Sequence, residues 1–82
     1  MQVKLQVKFV DGTDKEIAAG ATDLVAFEER FDLSVAKLEK EVKLTHLLFI
    51  AYNHENRTKA TSLDFNAWVE TIDTIEAAAA KK

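Results

Sequence analysis

The residues of this 82-residue chain that could carry chemistry are few, and their spacing works against them. His46 and His54 are eight apart, which on a helix separates them by about two turns, ~12 Å, too far to share a metal ion. His46 sits beside Phe49 and Ile50 and reads as a half-buried structural histidine. Ser34 and Ser62 stand at candidate helix starts, where capping accounts for them. Glu28 and Glu29 are adjacent and diverge on a helix, while Glu70 and Asp73 share a face of the kind that ordinarily meets solvent. Gly12 and Gly20 belong to no phosphate-binding or calcium-binding loop. There is no cysteine, hence no disulfide, thiol nucleophile or thiolate metal site. These observations predict a protein that is not an enzyme and uses no cofactor or metal.

The elements that must position these residues follow from periodicity. Val3, Leu5, Val7 and Phe9 alternate with Gln2, Lys4, Gln6 and Lys8, the pattern of a strand with one wet face. A two-residue loop at Asp11-Gly12 would turn Ile17 to the wet face. A three-residue loop, Val10-Asp11-Gly12 with Gly12 left-handed, instead pairs Phe9 with Thr13, Leu5 with Ile17 and Lys8 with Asp14. Thr22 is the expected N-cap of a helix through Leu24, Phe27 and Phe31, with Asp23 in its first turn and Glu28, Glu29 and Arg30 facing outward. Asp32 or Ser34 can cap a shorter helix through Val35, Ala36 and Leu38; a charged joint near Lys40 fits the change of apolar phase better than one unbroken helix.

The stretch from Val42 to Tyr52 is the most apolar of the chain, and its helix is expected to run to about Arg57. Leu44, Leu47, Leu48 and Ala51 make one face, assigned to the hairpin and the last helix; Val42, His46, Phe49, Ile50 and Asn53 make another. The polar run Asn53 to Lys59 reads as solvated. Asp64 is the expected N-cap of a last helix in which Phe65, Trp68, Val69 and Ile72 form one stripe, with Leu63 stapled to Trp68. Trp68 reads as core, with an interface role as the lesser reading. The expected fold is α+β: an antiparallel hairpin over 1–19, a helical part over 22–76 containing three to four helices, and a frayed or helical tail over 77–82, in one small domain.

Net charge −3 and pI about 5.3, without a Lys or Arg cluster, leave no footprint for nucleic acid. A helix-turn-helix regulator fails for the same reason, since its recognition helix would be LTHLLFIAY. The longest apolar run, Leu47 to Tyr52, is far below the ~20 residues of a membrane span, and the first residues alternate where a signal peptide needs continuous apolarity.

Taken in order, the Asp-Gly hairpin, the run AGATDLVAFEERFDLS, the run LTHLLFIAYN and the closing SLDFNAWVETIDTIE resemble the tail assembly chaperones of long-tailed bacteriophages and prophages. The chain departs from that pattern at Asn53-His54-Glu55-Asn56, where such proteins more often stay basic or apolar. The resemblance implies a non-catalytic protein of the host cell cytoplasm, not of the mature virion. It would coat the tape-measure protein, keep its apolar helices soluble, and leave as the tail tube protein polymerises. It also implies a longer form made by frameshifting, for which a slippery GCA-AAA-AAG encoding of Ala80-Lys81-Lys82 is the expected mark. The residues expected to meet the client, or a second copy in self-association, are Leu38, Val42, His46, Phe49, Ile50 and Trp68. The alternative reading is a small structural or adaptor domain, a virion or host-interaction module of a phage or prophage.

Overall fold

The hairpin forms in the expected register. In the computed structural model, which describes residues 3–34 and 43–77, β1 (Val3–Phe9) pairs antiparallel with β2 (Asp14–Ala19), setting Leu5 opposite Ile17 and Lys8 opposite Asp14. The Phe9 N–H donates to the Thr13 carbonyl at 2.8 Å, and Gly12 takes φ +95°. That backbone suits glycine because a Cβ there clashes with its own main chain. Asp11 Oδ1 accepts the Thr13 N–H at 2.9 Å, which closes the loop and holds the Asp11 carboxyl below its ordinary value.

Helix α1 (Ala21–Phe31) begins two residues earlier than Thr22 as N-cap would allow: Gly20 is the N-cap. Asp23 lies at N3 and reaches back to accept the Gly20 N–H at 3.2 Å, so the residue expected merely to favour the dipole closes the helix start. Asp32, at φ 55°, ends the helix in the left-handed region that Asp tolerates better than most residues. Helix α2 (Leu44–Arg57) ends in a Schellman turn, with Ala60 N–H donating to the Glu55 carbonyl and Lys59 N–H to that of Asn56. Lys59 fills the left-handed position usually given to glycine. Thr58 Oγ1 donates to the His54 carbonyl at 2.9 Å, a second hydrogen bond beside the one that carbonyl accepts from the Thr58 N–H.

The last helix is where the observed fold departs most from expectation. Asp64 does cap it, accepting the Ala67 N–H at 2.8 Å, but α3 spans only Phe65–Val69. The chain turns at Glu70-Thr71 and runs on as a strand, β3 (Ile72–Ala77), on the other side of β1, giving the order β2-β1-β3. The β-branched sequence Thr71-Ile72, Thr74-Ile75 prefers a pleated surface, and pairing Val7 with Ile75 buries both. The helical stripe that joined Ile72 to Trp68 is a coincidence of spacing. A bulge between Lys8 and Phe9 leaves Asp73 as the extra residue, so that Ile72 still reaches Phe9.

The fold is thus α+β, with a three-stranded antiparallel sheet and three helices among the described residues, in two layers. Leu5, Val7, Ile17, Ala19 and Ile75 from the sheet meet Leu24 and Phe27 of α1, Leu47, Leu48, Ile50 and Ala51 of α2, and Trp68 of α3. Leu44, expected to join the Leu47 face, is 61 % exposed, because it precedes the first full turn of α2 that reaches the sheet. The shorter helix expected through Val35, Ala36 and Leu38, and the tail beyond Ala77, lie outside the described residues.

Candidate functional site

The helices α1 and α2 lie side by side and antiparallel, so their contact has two ends of different chemistry. At one end the start of α1 meets the last turns of α2. Asp23 is fully buried there and both its oxygens are taken: Oδ1 accepts from Asn53 Nδ2 at 2.8 Å and Arg57 Nε at 3.1 Å, and Oδ2 accepts from Arg57 Nη2 at 2.9 Å and Gly20 N–H at 3.2 Å. His54 Nδ1 stands 3.1 Å from the same Oδ2, and since a carboxylate only accepts, the imidazole proton belongs on Nδ1. Burial pushes the Asp23 carboxyl up, but the hydrogen bonds from Arg57, Asn53, His54 and Gly20 outweigh it and hold the group at about 2 against an ordinary 3.8. Asp23 in turn raises the Arg57 guanidinium, through that hydrogen bond and its charge.

In the same turn of α2, on its sheet side, Glu55 is buried and receives Lys15 Nζ of β2 on both oxygens at 2.9 Å. This pair borders an open depression of about 400 Å³ between the hairpin loop and α3, which Phe9, Thr13, Trp68 and Thr71 also line. The run Asn53 to Arg57, expected to be solvated, is therefore a polar joint that fastens α2 to α1 and to the sheet. Neither Asp23 nor Glu55 stands out in the sequence. The hint lay in their helical neighbours, since Asn53, His54 and Arg57 share one side of α2 at spacings of one, three and four.

At the other end the contact is aromatic. Phe31 stacks edge-on against Phe49 and His46, at centroid distances of 5.4 and 4.8 Å, and Phe27 meets the His46 ring at 5.1 Å. His46 is buried, more deeply than a half-buried reading allowed, and among the described residues its Nδ1 has no hydrogen-bond partner. Phe31, Leu33 and Phe49 are half-buried at the rim.

The six residues expected at an interface therefore separate. Ile50 is 0 % and Trp68 2 % exposed, both enclosed within one chain, Ile50 because α2 turns it toward the sheet and Trp68 because α3 folds back on Tyr52. Neither offers a surface. His46 is covered by the two phenylalanines, and only Phe49 keeps an open side. Leu38 and Val42 lie outside the described residues.

No family model, curated protein or solved structure matches this chain. Its site is thus read from its own geometry. Among the described residues no group of His, Cys, Asp and Glu is arranged to hold a metal ion, and no helix is long and apolar enough to cross a membrane.

Proposed function

We propose that the chain is a non-catalytic tail assembly chaperone that binds the apolar helices of a tape-measure protein in the host cytoplasm and keeps them soluble until the tail tube protein replaces it. The observation that supports this reading best is the incomplete closure of the aromatic end of α1 and α2. There Phe31 and Phe49 are half-buried, Leu44 is 61 % exposed, and His46 Nδ1 lies under the aromatic rim without a partner among the described residues. An exposed apolar group at a helix end is suited to an amphipathic partner helix. The segments that carry the resemblance add to this. Leu24 and Phe27 of the first run and Leu47 to Ala51 of the second build the wall behind that end.

Coexpression with a tape-measure fragment tests the reading. The unaltered protein is expected to keep the fragment in the soluble fraction and to elute with it. The double substitution Leu44→Asp with Phe49→Ser is expected to retain the circular dichroism of a folded chain and to lose the fragment. A fragment that precipitates in the presence of the unaltered protein overturns the proposal, as does a double variant that still holds it.

A further inference from the structure

The outer edge of β3 is a second surface, on the sheet and apart from the aromatic end of the helices. In the β1–β2 ladder Phe9 donates to Thr13, so the main-chain groups of the odd residues of β1 point toward β2 and those of Lys4, Gln6 and Lys8 point toward β3. The pairs Lys8 with Thr74 and Gln6 with Glu76 therefore take up the inward groups of β3, and alternation leaves the N–H and C=O of Ile75 and Ala77 facing outward. Among the described residues no strand lies beyond them. The edge is also acidic. Glu70 in the turn before it, Asp73 at the bulge and Glu76 on the strand are all exposed, and between Lys59 and Lys81 the chain has four acids and no Lys or Arg. The nearest cations on the sheet, Lys4 and Lys8, lie one strand away on β1, Lys8 opposite Thr74. The other edge differs: β2 carries Lys15 between Asp14 and Glu16.

Two occupants compete for such an edge. A second copy would pair β3 antiparallel to itself through its outward groups, which sets Ile75 opposite Ile75 with the two Glu76 diagonal to each other, or Ile75 opposite Ala77 with Glu76 opposite Glu76, and either like-charge arrangement opposes pairing. An extended segment with Lys or Arg at alternate positions meets opposite charges instead. We propose that the β3 edge is a strand-addition site for a basic extended segment of another protein, held by main-chain hydrogen bonds to Ile75 and Ala77 and selected by Asp73 and Glu76.

The full-length chain, labelled with ¹⁵N, is titrated with a capped peptide of alternating Lys and Val, with its Glu-for-Lys counterpart, and with the basic peptide carrying a central Pro. The basic peptide is expected to slow solvent exchange of the Ile75 amide, and the other two are expected to leave it unchanged. Asp73→Lys with Glu76→Lys is expected to weaken the basic peptide about tenfold and to favour the acidic one, as two reversed cross-strand pairs imply. That double variant is first shown to be folded by its amide spectrum. No binding at millimolar basic peptide shows that the acids only guard the edge against self-pairing, and overturns the proposal. Binding that leaves Ile75 exchange unchanged, or that survives the charge reversal, overturns it too. Because this edge binds through main-chain groups of β3 and uses neither Leu44 nor Phe49, either binding surface can fail without the other.

Discussion

Asp23 is the residue on which most of the polar order depends. An isolated carboxylate with no exposed surface is costly, and here the cost is offset by charged and neutral donors arriving from three residues of α2 and from its own helix start. Asp23→Asn keeps the shape but turns a donor toward Arg57 or Asn53, and leaves the guanidinium unpaired. We expect it to lower stability by roughly 2–4 kcal/mol, read from urea unfolding at neutral pH. The pH dependence has a definite sign. The folded carboxyl titrates at about 2, below its ordinary 3.8, so it binds a proton less readily folded than unfolded. Its contribution, about 2 kcal/mol, is complete above pH ~4 and fades as pH falls toward ~2. The gap between the unaltered protein and Asp23→Asn should close over that window; a constant gap would mean the charge is not what the site uses. Beyond the shared side of Asn53, His54 and Arg57, none of this was legible in the sequence. A carboxylate three residues into a helix ordinarily meets solvent, and what makes Asp23 different arrives from residues 30 to 34 positions away.

Elements were legible where local pattern and burial agree. The hairpin register followed from parity: only a three-residue loop brings Leu5 and Ile17 to the same face, and both are in the core. Helix α2 followed from its apolar density. The closing segment did not, because Phe65, Trp68, Val69 and Ile72 satisfy a helical stripe while Ile72, Thr74 and Ile75 also suit a strand. What decides is the open side of β1, a partner far away in sequence. A pair of proline substitutions tests that assignment. Thr74→Pro removes an N–H that points into the ladder with Lys8 and should cost about 3 kcal/mol. Asp73→Pro falls on the bulge, where proline is tolerated, and should cost clearly less. Equal losses measured by urea unfolding would point to a continuous helix through both positions.

The molecule as a whole is polarised along α2. Its C-terminal half is fixed by three independent devices: the Asp23 cluster to α1, the Lys15–Glu55 pair to β2, and the Schellman turn that closes the helix. The N-terminal turn has none of these. Lys43 is its N-cap and offers no side-chain acceptor, Leu44 is exposed, and His46 Nδ1 is buried without a partner among the described residues. A helix held this way should open from one end. Amide hydrogen exchange is expected to show Ile50 to Glu55 exchanging only with global unfolding, while Leu47 and Leu48, whose bonds reach back into the first turn, exchange through smaller openings. Asp23→Asn should flatten the gradient by loosening the fixed end and leave the first turn unchanged. A bound tape-measure helix should act in reverse and raise protection at Leu47 and Leu48 while changing Glu55 little, since the free surface lies at the loose end. Uniform protection along α2 in the free protein would remove the polarity. A client that protects the Glu55 end first would place the binding surface on the polar joint, the half that the fold already secures.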